Sequence, residues 1–131
     1  MDIFERNKSI EDVRMLSPLV WAYVGDNVYE LFVRTNLVNE SNAKPHKLHI
    51  EAIKYVKAEN QAKILEKITP NLSEEELEIV RRGRNTENHH LPKNANCADY
   101  SYSTGFEALI GFLYLTKQDE RLSQILKLCI D

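Results

Sequence analysis

Leu16-Ser-Pro-Leu-Val-Trp-Ala-Tyr-Val-Gly-Asp-Asn-Val-Tyr-Glu-Leu-Phe-Val-Arg34 is the stretch that decides how this chain folds. Ser17 suits an N-cap, and Pro18 fits the first helical position, where its missing N–H is no loss. Leu16 and Trp21 stand at the two positions of a hydrophobic staple. These signals predict a helix of about four to five turns that stops near Asn36. At a helical spacing of about 100° per residue, Val20, Trp21, Ala22, Val24, Val28, Tyr29, Leu31, Phe32 and Val33 cover a wide arc. Tyr23, Asp26, Asn27, Glu30 and Arg34 share the narrow arc left over. A helix this apolar is mostly buried, and its polar stripe must face water, a partner or a site. Taken alone, the stripe reads most simply as a solvated face with Glu30 and Arg34 paired at i, i+4. Asp26 directly follows Gly25, where a second backbone could come close.

The chain has 131 residues, which points to a single domain spanning 1–131. Such a length buries about two-thirds of the unfolded surface, so no staples are needed. Cys97 and Cys129 lack CxxC spacing, and free thiols in a reducing compartment are expected. No apolar run approaches the roughly 20 residues that span a bilayer. Met1-Asp-Ile-Phe-Glu-Arg-Asn-Lys8 lacks the apolar core of a signal peptide. A cytoplasmic protein away from membranes is therefore expected. The net charge of −3 does not mark a nucleic-acid binder. Its distribution is uneven, however: Glu74, Glu75, Glu76 and Glu78 precede Arg81, Arg82 and Arg84, with Lys93 beyond. Lys44, Lys47, Lys54 and Lys57 form a second basic group. Local patches of this kind can hold phosphates, because screening leaves only nearby charges effective.

Ser9 opens a short helix that ends near Met15. A single element is predicted from Pro45 to Thr69-Pro70, with Leu48, Ala52, Tyr55, Val56, Ala58, Ala62 and Leu65 on one face. Glu59 is out of place on that face, so it either twists outward or reaches a polar cavity. Ser73-Glu-Glu-Glu76 is a capping box. Leu77 and Val80 anchor the helix it starts, and Gly83 is expected to help end it. Residues 85–98 show no periodicity, and a polar loop of that length is often functional. From Phe106 to Leu115 every position is apolar or Gly except Glu107, which predicts a helix buried all round. Asp119 is expected to cap a last helix carrying Leu122, Ile125, Leu126 and Cys129. No strand alternation appears, so the fold class is all-α, with about six or seven helices.

Glu107 is the chemical anomaly. An ionised carboxylate left unpaired in an apolar helix is costly, so it must be neutral, paired or bound to a cation. Gly111, one turn on, would let another helix pack tightly, which makes Asp26 and Glu107 natural candidates to meet at a helix crossing. Two carboxylates brought together repel, and a divalent cation resolves the conflict. Mg²⁺ suits such a site, since it takes one or two carboxylates and keeps several waters. It can generate a hydroxide nucleophile and stabilise a departing phosphodiester oxygen. A tie from Glu107 to an Arg or a helix N-terminus is the alternative the residues leave open. His89-His90 lacks the further ligands a metal site needs.

Gly25-Asp-Asn-Val28, with Phe106-Glu-Ala-Leu-Ile-Gly-Phe-Leu-Tyr-Leu115 far downstream, resembles the ribonuclease III catalytic domain, which pairs Leu-Gly-Asp-Ala-Val with Glu-Ala-Leu-Ile-Gly. Residues 21–30, 54–62, Arg81-Arg-Gly-Arg-Asn85 and 102–111 look like its short bacterial branch, Mini-ribonuclease III. The resemblance implies an all-α ribonuclease III-like helical bundle acting as a homodimer, with a Mg²⁺-dependent site in which Mn²⁺ can substitute. It implies double-stranded RNA as substrate, with the branch associated with 23S ribosomal RNA precursors. Asp26 matches the family's catalytic aspartate and Glu107 its catalytic glutamate, both as metal ligands. Full-length enzymes carry an acid where this chain has Ala22 and an Asp where it has Thr104. Thr104 is therefore expected to hold a water or to support a ligand, and one metal is better supported than two. Tyr23, Asn27, Glu30 and Glu59 are expected as neighbours behind the ligands or facing RNA.

No double-stranded-RNA-binding domain is expected, so the catalytic domain itself must hold the duplex, mainly through phosphates and 2′-hydroxyls. Arg81, Arg82, Arg84 and Lys93 are the first candidates for phosphate contacts, and Lys44, His46, Lys47 and His49 the second. Surplus apolar surface around Trp21, Phe32 and Val33 would suit a dimer. The competing class is a non-catalytic RNA-binding or protein-interaction module on the same scaffold. The missing acids at Ala22 and Thr104 favour it, and the retention of both Asp26 and Glu107 opposes it.

Overall fold

Four of the helix starts in this protein fall where a side chain accepts from orphan first-turn N–H groups. A computed structural model describes residues 3–86 and 96–131. Among these, Ser9 caps α1 (Ile10–Arg14) and Ser17 caps α2 (Pro18–Glu40). The segments α3 (Pro45–Val56) and α4 (Ala58–Ile68) follow. Ser73 and Glu76 form the expected capping box at α5 (Glu74–Asn85). Asn96 accepts from the Ala98 and Asp99 N–H groups at the start of α6 (Cys97–Leu115), and α7 (Asp119–Ile130) closes the chain. The described residues contain no strand, which agrees with the all-α reading. None of the helices found is long and apolar enough to cross a membrane.

Helix α6 is the axis. It is buried almost continuously from Ser103 to Leu113, and α2, α5, α4 and α7 pack around it. The tightest approach is to α2. A Cβ added at Gly25 would lie 1.8 Å from the Glu107 carbonyl oxygen, and one at Gly111 would lie 1.8 Å from the Trp21 carbonyl oxygen. Neither glycine has a positive φ. Both are there for close approach rather than for an unusual backbone conformation. Aromatic pairs lock the crossing on either side. Trp21 meets Phe112 edge-on at 5.2 Å, and Tyr29 meets Phe106 edge-on at 4.8 Å. The Trp21 indole N–H donates to the Val13 carbonyl at 2.8 Å, which ties α1 to the same point.

Four sequence expectations need correction. Helix α2 runs to Glu40 rather than stopping near Asn36, because no Gly or Pro breaks it and Leu37 still packs on the core. The single element after Pro45 is two helices, since Lys57 is extended (φ −67°, ψ 142°). Side chains make that break affordable: Asn60 donates to the Ile53 carbonyl, Gln61 to that of Val56, and the Tyr29 hydroxyl to that of Tyr55. Gly83 does not end α5. It lies inside the helix, where an added Cβ would sit 2.8 Å from the Ala108 Cβ of α6. Finally, Trp21 and Val33 are wholly interior and belong to the core. The apolar side chains that α2 leaves in solvent are Val20, Tyr23, Leu31 and Val38.

Candidate active site at the crossing of two helices

Because Gly25 and Gly111 let α2 and α6 touch backbone to backbone, the residues beside them are forced together. Asp26 follows Gly25 on α2, and Glu107 stands one turn before Gly111 on α6. Their carboxyls come within hydrogen-bonding distance of each other. Asp26 is exposed and Glu107 half-buried, so the pair sits at the mouth of the crossing. Burial is the largest reason that the Glu107 carboxyl is pushed up to about 9 from its ordinary 4.5. The adjacent Asp26 adds to this and Glu30 contributes a further like charge, while the Gln61 amide pulls the other way. Without a cation, then, the Glu107 carboxyl keeps its proton at neutral pH. This is the usual result when like charges crowd a partly desolvated site.

The donor set fits a hard divalent cation. Asp26 and Glu107 bring carboxylate oxygens together with Glu30 nearby, and the Oε1 of Gln61 is buried without a hydrogen-bond partner. Among the described residues no group of three or more His, Cys, Asp or Glu side chains could hold a metal. A cation here would therefore take few protein ligands and keep water, as Mg²⁺ does.

The surrounding candidates separate under the structure. Glu30 is half-buried along the same stripe and pairs with Arg34 at 3.4 Å. Thr104 is buried, with its hydroxyl donating to the Tyr100 carbonyl at 3.0 Å. Asn27 is exposed and its amide donates back to the Tyr23 carbonyl of its own helix, which agrees with the outward, RNA-facing course of the two expected for it. Glu59 takes the outward of the two expected courses, since it is exposed and lies 3.5 Å from Lys57. The extended residue at Lys57 resets the helical phase, so Gln61 rather than Glu59 reaches Glu107 from α4. Sequence reasoning passed over Gln61 because an amide between Asn60 and Ala62 looks like ordinary helix surface. The signal that could have found it is the break itself, which no Gly or Pro announces.

A Ribonuclease III domain model matches residues 19–118. The chain belongs to the ribonuclease III family. A "Mini-ribonuclease 3" of Thermoanaerobacter sp. (strain X514) is 50% identical over 120 residues, covering 92% of this chain and 84% of that protein. Another of that name, from Symbiobacterium thermophilum, is 49% identical over 116 residues, with 88% and 89% covered. A crystal structure of a Fusobacterium nucleatum protein superimposes with a TM-score of 0.80 at 30% identity, covering 91% of this chain and 95% of that one. In this ribonuclease III domain both glycine-flanked carboxylates lie inside the matched span.

The basic residues of the ribonuclease III domain also sort by geometry. Arg82 is not a free phosphate contact, because its guanidinium lies 4.7 Å from the Trp21 ring centre and donates to the Arg14 carbonyl. Arg84 is half-buried and stacks 3.9 Å over Tyr102. Arg81 is exposed, with Glu78 holding it in a two-pronged pair at 2.5 and 2.8 Å. Lys44, His46, Lys47 and His49 are all exposed around the start of α3. Lys93 and the His89-His90 pair lie outside the described residues.

Proposed function

We propose that Asp26 and Glu107 hold Mg²⁺, with Mn²⁺ able to substitute, and that this pair cleaves the RNA backbone. As a member of its family the chain is an endoribonuclease acting on double-stranded RNA. The observation that carries the site assignment is the forced contact of two carboxylates at a glycine-lined crossing. When bound there, the cation supplies positive charge that holds water and polarises phosphate oxygens. The protein's own part is to fix geometry. Asp26 approaches from the solvent side of α2, and Glu107 is presented by a helix whose other faces are packed. Thr104, one turn before Glu107 on the same helix, is proposed to hold a water through the lone pairs that its bond to the Tyr100 carbonyl leaves open. Glu30 raises the local negative potential, which favours a cation over an open, protonated pair.

The same single domain is proposed to grip the duplex. Lys44, His46 and Lys47 around the start of α3, together with Arg81, are the phosphate contacts that solvent exposure and charge support, and the half-buried Arg84 joins them by charge. The 23S ribosomal RNA precursor is the proposed substrate, following the short branch that the motifs resemble, and a cytoplasmic location follows from it. A homodimer is proposed as the working unit, with Val20, Tyr23, Leu31 and Val38 of α2 as apolar surface to cover. The test uses the purified protein with duplex RNA and Mg²⁺. Asp26→Asn and Glu107→Gln should each abolish cleavage while still binding RNA in Ca²⁺. Full cutting by either variant refutes the assignment, and a monomer by light scattering at working concentration refutes the dimer.

A further inference from the structure

Gln61 is only 2% exposed, and it is anchored at one end only. Its Nε2 donates to the Val56 carbonyl at 3.0 Å, at the break between α3 and α4. A carbonyl can accept only from the amide's NH₂ end, so this bond fixes which way the group points. The Oε1 is left buried with no donor. Buried polar atoms are nearly always satisfied, and an orphan acceptor calls for a partner such as a water or an ion. The same NH₂ end lies within hydrogen-bonding reach of the Glu107 carboxyl, where it favours the charged form, so the whole amide group stands beside the carboxylate pair. We infer that Gln61 is a positioning residue of the cleavage site, its Oε1 accepting a hydrogen from water carried by the cation that Asp26 and Glu107 hold. This rests on the metal-site reading above.

The chemistry favours a neutral amide here. A cation that keeps several waters brings hydrogens that need acceptors. A third carboxylate would supply one at the cost of more repulsion in the empty site, whereas an amide oxygen does so without added charge. The Val56 anchor means that the helix break is also the clamp that aims the acceptor. Partners of this kind typically matter by 10–100-fold in metal affinity or activity.

The closing experiment compares Gln61→Met with Gln61→Glu by Mn²⁺ binding without RNA, followed by electron paramagnetic resonance, alongside thermal melts in EDTA. Both variants lose the bond to Val56, so both should melt earlier. Only Gln61→Met lacks an acceptor. Its Mn²⁺ affinity should fall about tenfold or more, while Gln61→Glu stays within about threefold of the parent or binds more tightly. An equal loss of affinity in both variants would show Gln61 to be a strut for the helix break and overturn the inference. So would parental affinity in Gln61→Met. If Gln61→Met does not fold, Gln61→Glu alone decides, because a tenfold loss there also overturns it. Asp26→Asn runs in parallel: unchanged Mn²⁺ affinity in that variant would refute the site reading itself, whatever Gln61 does.

Discussion

Gly25→Ala is the sharpest test of the fold, because it adds one carbon where two backbones already touch. The new Cβ would lie 1.8 Å from the Glu107 carbonyl oxygen and 2.7 Å from the Gly111 nitrogen. Ordinary contact needs about 3.5 Å, so α2 and α6 must separate by roughly 1.5 Å. No flexible side chain can move aside, since the obstructing atoms are all backbone. A gap of about 0.5–1 Å already forfeits a quarter to a half of each contact's attraction, and the two aromatic pairs beside the crossing would feel it. Overpacking usually costs about 1–3 kcal/mol, and this case belongs at or above the upper end. Alanine returns about 1 kcal/mol of helix propensity, which leaves a net loss of about 2 kcal/mol or more. For a domain of this size that lowers Tm by roughly 8 °C or more. The assay is thermal unfolding by circular dichroism in EDTA. Gly111→Ala, whose Cβ would meet the Trp21 carbonyl oxygen at 1.8 Å, should match it. Gly105→Ala should cost less, because its obstacles, the Arg84 Cγ at 2.7 Å and the Val80 carbonyl oxygen at 2.8 Å, are met far less closely. A Gly25→Ala protein melting within about 2 °C of the parent, or above it, would refute the tight crossing, since only the propensity gain would then remain.

Glu107 should make stability depend on pH when no cation is present. Its folded value of about 9 lies above the ordinary 4.5, so its contribution is full below about pH 4.5 and is lost as pH rises toward 9. Denaturant melts in EDTA should therefore favour Glu107→Gln over the parent increasingly from pH 6 to pH 9, and parallel curves would contradict this. By the same linkage, the Mg²⁺ concentration for half-maximal cleavage should fall as pH rises, because the cation and the proton compete for Glu107. Arg121 donates twice to the buried Glu76 at 2.8 Å and once to the Asn71 carbonyl at 2.7 Å. That pairing lowers the Glu76 pKa, so its stabilisation is present above the ordinary carboxylate range and lost as pH falls through the lowered value. Arg121→Met should cost about 1–2 kcal/mol at pH 7, discounted for Arg121's exposure, and should flatten the acid limb of the stability curve. Arg82→Ala should lower Tm through its lost contact with Trp21, worth about 0.5–1 kcal/mol, with little change in RNA affinity. Lys47→Ala should do the reverse, weakening RNA binding and reducing its salt dependence by about one unit of slope.

Helix identity was legible because it is written locally. Capping residues, the run of apolar positions in α6 and the lack of strand alternation need no tertiary information, and the described residues hold seven α-helices where about six or seven were expected. Asp26 and Glu107 were legible for a similar reason, since an acid beside a glycine and an acid in an apolar helix are anomalies that composition alone exposes. What the sequence left open or misread shares a cause. The course of Glu59 and the supposed surface at Trp21 and Val33 depend on the rotational phase of a helix or on what packs against it. Continuing α3 through Lys57 gave the wrong phase to everything beyond that residue, and so put Glu59 on the apolar face and left Gln61 unnoticed.

Taken by itself, the sequence determined which segments are helical, which two carboxylates are anomalous and which family the motifs resemble. Only the tertiary structure decided that those carboxylates touch, that Gly25 and Gly111 are the two halves of one contact, and that an amide from α4 completes the cluster. The physical reason is one of range. Caps and periodicity act over a few residues, whereas repulsion between Asp26 and Glu107 and the unmet hydrogen bond of Gln61 exist only after distant helices have been pressed together.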